Sequence, residues 1–192
     1  MVRGKWIILS LAVLAALALV GTYGWAKDKA KAKVELPDAV AAVVAEAFPG
    51  AKIEKVKAED EDGVKVFEVE LELKQGEQEI EIEIEVTASG TIIEVETEIQ
   101  MKDVPAAAAK AITDAAEGGK VEEVKKVEAR AEIKGGNVVN LDPVKVTYEA
   151  EIEKGDQEGE IEVAADGTVV EPLKWKAKEN EENDEKGECE KK

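Results

Sequence analysis

FEVELEL at positions 67–73, EIEIEIEV at 79–86 and IEVETEI at 93–99 alternate a core-suited residue with glutamate almost without a break. Side chains on a β-strand point to opposite faces with a period of two, so this pattern predicts a sheet with one oily and one acidic face. Phe67, Val69, Leu71, Ile80, Ile82, Ile84, Val86, Ile93 and Val95 are expected to face inward. Glu68, Glu70, Glu72, Glu79, Glu81, Glu83, Glu85, Glu94, Glu96 and Glu98 are expected to face outward, and they form the candidate acidic binding face.

The turns fix the pairing. A turn at Gln75-Gly76 predicts Leu71 opposite Ile80 and Val69 opposite Ile82, and one at Ser89-Gly90 predicts Val86 opposite Ile93 and Ile84 opposite Val95. A slip of one residue would put glutamate in the core. These registers stack Glu68, Glu83 and Glu96 in one row and Glu70, Glu81 and Glu98 in another.

The pattern returns further along. Val86-Thr-Ala-Ser-Gly-Thr-Ile-Ile-Glu94 is echoed by Val163-Ala-Ala-Asp-Gly-Thr-Val-Val-Glu171, and Pro37, Gly50, Lys52, Ile53 and Val56 by Pro105, Gly118, Lys120, Val121 and Val124. The offsets are 77 and 68, so the second stretch carries an insertion, placed in the turn-rich segment from Gly135 to Pro143. Each stretch opens with a helix. Pro37 suits a first helical turn, Val40, Val43, Val44, Ala47 and Phe48 make an apolar stripe, and Pro49-Gly50 stops it. The second helix, Pro105 to Glu117, is alanine-rich; its stripe of Ala107, Ala108, Ala111, Ile112 and Ala115 allows close approach to a sheet but buries less area, so the second module is expected to be the less stable. Gly155-Asp156 predicts Ile152 opposite Gly159 and Ala150 opposite Ile161.

The expected class is therefore α+β, as two tandem modules, each one helix packed on an antiparallel β-meander of about four strands. The boundaries are a signal peptide over 1–26, a linker over 27–35, module 1 over 36–100, module 2 over 101–176 and a disordered acidic tail over 177–192. Tyr148 and Trp175 are expected in the second core.

Residues 36–173 resemble the PepSY-like domains, which are grouped with β-lactamase-inhibitor-like proteins. LPDAVAAVVAEAFPGAKIEKV, EDGVKVFEVELE, VTASGTIIE and QMKDVPAAAAKAI carry the resemblance. It implies a secreted or periplasmic, non-catalytic module that binds other proteins and in some cases restrains peptidases. It brings no catalytic residue. The second stretch lacks the Phe48-Pro49 element and has Pro172 in its last strand, which predicts an irregular final strand pair.

Composition sets further bounds. Arg3 and Lys5 precede an apolar run from Trp6 to Val20, and Gly24-Trp25-Ala26 offers small residues where a signal peptidase looks. The alternative is an uncleaved membrane anchor with Trp6, Tyr23 and Trp25 near its ends; either places the remainder outside the cytoplasm. Loss of 1–26 takes the formal net charge from −18 to −20, because only Arg3 and Lys5 go with it. Nucleic acid is then a poor partner. Cys189 is the single cysteine, and it lies in the acidic tail. There is no histidine, which removes the usual general base and the commonest metal ligand. Asp60-Glu61-Asp62-Gly63 looks like part of a calcium loop, but with Gly63 at its sixth position Ala58 would be first and Val69 twelfth, so both essential carboxylates are missing. It is expected to be a tight turn.

Residues 59–98 hold fifteen acidic residues against Lys65 and Lys74. Like charges directly opposite on a sheet cost roughly 0.2–1 kcal/mol per pair. Three explanations for tolerating that cost compete: solubility, docking of a basic protein, peptide or polyamine, and weak calcium binding between neighbouring carboxylates. The expected function is binding of a protein or peptide, with a peptidase among the candidate partners, and no enzyme activity. Crowding should also raise the pKa of several glutamates and make the protein more stable near pH 5 than at pH 8.

Overall fold

The structure, a computed structural model, describes residues 35–76 and 78–178. The elements are α1 (Asp38–Ala47), β1 (Lys52–Glu61), β2 (Val64–Gln75), β3 (Gln78–Thr87), β4 (Ile92–Glu98), a 3-10 turn (Met101–Asp103), α2 (Ala106–Ala116), β5 (Lys120–Lys134), β6 (Asn137–Lys154), β7 (Gln157–Ala164) and β8 (Val169–Ala177). Among the described residues no helix is long and apolar enough to cross a membrane. The expected signal segment, Cys189 and the acidic tail from Glu179 onward lie outside the described residues.

The expectation of two tandem helix-plus-meander modules is overturned. All eight strands form one sheet in chain order, with every neighbour antiparallel, and the described residues are mostly β with two short helices. Strands β4 and β5 join the two stretches, pairing from Glu94 with Ala129 to Glu98 with Lys125. Two separate meanders would have left β4 and β5 as open edges; pairing them satisfies both rows of backbone groups. Among the described residues β1 and β8 remain the edges. Each is irregular, β1 between Ile53 and Lys55 and β8 around Pro172, where its register with β7 shifts.

Both helices lie on the inner face. Val40 and Val44 of α1 pack on Phe67, Val69, Leu71, Ile82, Ile84, Val86 and Val95. Ala108, Ile112 and Ala116 of α2 pack on Val124, Tyr148, Ala150, Ile152, Ile161 and Val163, with Trp175 half-buried against them. The start of α2 comes close to the turn between β7 and β8. At Gly167, with φ +84°, an added Cβ would lie 2.8 Å from the carbonyl oxygen of Ala107 in α2; the equivalent contact of Gly90 with Ala39 in α1 would be 3.2 Å.

The registers preserve the predicted faces while shifting some pairs. Leu71 faces Ile82 and Val69 faces Ile84, two residues from the expected pairing, so the glutamates stay outside. Ile152 faces Gly159 and Ala150 faces Ile161 as expected. A bulge near Glu85 pairs Val86 with Ile92. Ile93 therefore turns to the outer face, contrary to its expected inward position, yet it is buried there.

What buries Ile93 is the long hairpin of β5 and β6, whose strands run 15 and 18 residues. Its register jumps from Ala129 opposite Lys145 to Ala131 opposite Asn140, so Leu141 to Val144 bulge outward. The remaining arm, 131–140, sets Ala131 and Ile133 on Val64, Val66 and Ile93 in a third apolar cluster. The outer face is thus not wholly left to water. The turn-rich segment from Gly135 to Pro143, expected to be an insertion, spans the tip of this arm and part of the bulge at its root.

Candidate functional site

The outer face is built by alternation on β2, β3 and β4. Glu68 faces Glu85 and Glu70 faces Glu83, with Glu72 opposite Glu81. On the other side of β3, Glu85 faces Glu94 and Glu83 faces Glu96. The rows are therefore Glu68, Glu85, Glu94 and Glu70, Glu83, Glu96, each displaced by two residues from the sequence expectation at β3. Glu79 and Glu98 lie toward the other end of the face, where both are exposed.

Lys55, Lys57 and Lys125 from outside the glutamate-rich window, and Lys74 from within it, border this face. Lys57 pairs with Glu68, and Lys55 Nζ lies 2.5 Å from Glu70 Oε1. Lys74 lies 2.9 Å from Glu79. On β5, Lys125 Nζ donates to Glu96 Oε2 at 3.1 Å and sits 3.8 Å from Glu123. Sequence reasoning missed Lys55, Lys57 and Lys125 as part of this surface because their register was unknown. The signal for the first two was present: in KIEKVKA, Lys55 and Lys57 alternate with Val56.

The centre of the face is not freely solvated. Burial pushes the Glu83 carboxyl up to about 7, with Glu96 and Glu68 adding repulsion and Lys125 and Lys57 opposing it. Burial raises Glu85 to about 7, helped by Glu61, Glu96, Glu83 and Glu68. Glu94, 7% exposed, is raised to about 8 by burial and then by Glu96, Glu85 and Glu162, with Lys145 opposing. Lys125 is raised although its burial works against the charge, because Glu96, Glu123 and Glu83 more than offset it.

The outer face continues onto β5–β8 with a different mixture. Lys125 faces Glu149, which faces Glu162; Glu123 faces Glu151, which faces Glu160; and Lys174 follows Glu160 on β8. Burial drives the Glu149 carboxyl well above the carboxylate range, and the adjacent Glu160, hydrogen-bonded to it, adds to the rise. Lys145 Nζ lies 3.7 Å from Glu162 Oε1.

A metal reading can be tested against the same geometry. Carboxylate oxygens of Glu68, Glu70 and Glu83 lie within 4.8 Å of one another. Oxygen-only ligands suit calcium, but Lys57 and Lys55 already engage two of the three. The Asp60–Gly63 segment is the tight turn expected of it. Asp62 and Gly63 adopt φ of 50° and 84°, and the Gly63 N–H donates to Asp60 Oδ1 at 3.0 Å.

No family model and no curated protein matches the chain. Solved structures do match it. A BLIP-like protein from Bacteroides fragilis superposes with a TM-score of 0.50 at 16% identity, over 77% of this chain and 92% of that one. A DUF2874 family protein from Bacteroides ovatus gives 0.51 at 11% identity, over 75% and 89%. The fold is that of the BLIP-like and DUF2874 proteins. A protein described as periplasmic from Bacteroides eggerthii shares it, with a TM-score of 0.52 at 16% identity over 75% of this chain and 90% of that one. The resemblance carried by the helix starts and turn glycines of the BLIP-like fold therefore holds at the level of architecture.

Proposed function

We propose that the chain is a periplasmic, non-catalytic binding protein that takes a basic protein or peptide on the outer face of β2–β4. The observation that carries this reading is the pair of glutamate rows running across three strands on a face that neither helix covers. Glutamate held opposite glutamate is costly in the free protein, and a lysine- or arginine-rich partner relieves that repulsion while the field speeds its approach. The shared fold with a BLIP-like protein and with one described as periplasmic supports both the binding role and the compartment. A peptidase with a basic surface is one partner class that fits; stoichiometric loss of activity in a panel of extracellular proteases would support it, and a flat panel would remove it.

The test is capture of a lysine-rich protein by the full chain at low salt. Changing Glu70, Glu81, Glu83 and Glu96 to glutamine should abolish capture while the circular dichroism stays unchanged, and undiminished capture would sink the proposal. Calcium is the second reading, favoured by the closeness of Glu68, Glu70 and Glu83. It requires millimolar calcium to raise the melting temperature well beyond sodium chloride of equal ionic strength.

A further inference from the structure

The 131–140 arm overhangs the sheet, because β5 pairs with β4 only as far as Ala129. Two of its contacts reach the neighbouring strands. Ala131 and Ile133 rest on Val64, Val66 and Ile93. At its tip, Gly136 comes so near the Asp62 carbonyl in the β1–β2 turn that an added Cβ would lie 3.1 Å from that oxygen. Val66 is opposite Thr87, two residues along the strands and on the same face as Glu68 opposite Glu85, so this small apolar cluster borders the row of Glu68, Glu85 and Glu94.

The charges around that row are mostly of one sign. Glu85 is met by Glu61 from β1, Glu68 from β2, Glu83 on its own strand and Glu94 and Glu96 from β4; Lys57 is engaged with Glu68. Glu94 is met by Glu85, Glu96, Glu162 and one cation, Lys145, at the root of the arm opposite Ala129. Along the arm, Glu132 pairs with Lys134 and Arg130 lies 3.6 Å from Glu128; strand alternation puts all of them on the side away from Ala131 and Ile133.

We propose that the arm is a pH-operated strap, closed over the end of the outer face in acid and lifted when Glu85 and Glu94 beside it both carry charge. Charged carboxylates at a closed apolar border are poorly hydrated, and opening the arm restores water to them at the cost of the apolar cluster it covers. The neutral forms favour closure, and that advantage fades as pH rises through about 7 to 8.

The experiment uses the full chain in a C189S background with spin labels at A88C and N137C, read by pulsed electron resonance at pH 5.5 and pH 9. One short distance at pH 5.5 and a dominant longer one at pH 9, with the sheet's circular dichroism intact, is the expected result. The added E85Q/E94Q pair should hold the short distance at both values. Identical distances at the two pH values in the parent, opening of the glutamine variant like the parent, or loss of the whole sheet signal together with the arm would each overturn the strap.

Discussion

On β2–β4, Glu68, Glu85 and Glu94, and likewise Glu70, Glu83 and Glu96, form rows with no other residue type among them; on β5–β8 the outer rows include Lys125, Lys145, Lys174, Thr147 and Ala164. The inner faces of the two regions are alike, because burial under a helix demands aliphatic residues in both. The outer faces differ although both belong to one sheet. Mixed charge therefore satisfies the fold on β5–β8, and the uninterrupted rows on β2–β4 exceed what solubility asks for.

Despite their different outer faces the two regions should unfold together. Ile84 and Ile152 are both fully buried, one in each region. Ile84→Ala and Ile152→Ala should each cost about 2–5 kcal/mol, seen in urea as a shift of one shared transition. Two separate transitions would contradict the single sheet.

Helix approach offers a second contrast. Gly167→Ala forces a Cβ against the Ala107 carbonyl at positive φ, whereas Gly90→Ala meets Ala39 less closely. The former should cost about 1–3 kcal/mol and the latter less. Equal effects would mean that the alanine stripe of α2 does not set the distance.

Proton linkage gives a third. Glu83, Glu85 and Glu94 have folded-state pKa values raised above the ordinary carboxylate value. Their protonated forms favour the folded state, so stability is greatest in acid and is lost as pH rises through about 7 to 8. At low salt the melting temperature should be higher near pH 5 than at pH 8. Glu94→Gln, which keeps the neutral shape, should gain about 1–2 kcal/mol at pH 8.5 and nothing at pH 4. A melting temperature that climbs from pH 5 to pH 8 would reverse the sign.

Most inner residues were legible because period-two alternation leaves no other register with an apolar core. Even a two-residue error at the Gly76 turn left each glutamate on its face. The joining of β4 to β5 was not legible, since nothing local in IEVETEI or KVEEVKKVEARAEIK says which strand lies beside which. Ile93 was misplaced because a bulge changes parity without a sequence signature as strong as the Ser89-Gly90 turn. The acidic rows were legible as composition, while their bordering lysines and the covering arm depend on pairings many residues apart.

The most direct test is a calorimetric titration of a lysine-rich peptide into the full chain at pH 8 and low salt, beside two glutamine variants that each change four glutamates. One alters Glu70, Glu81, Glu83 and Glu96, and the other alters Glu151, Glu160, Glu162 and Glu171 on β7, β8 and β6. The expected result is a loss of at least about tenfold in affinity for the first, roughly 1.4 kcal/mol, with the second binding much like the parent. Retained binding by the first variant, or an equal loss in both, would contradict a specific role for the acidic face of β2–β4.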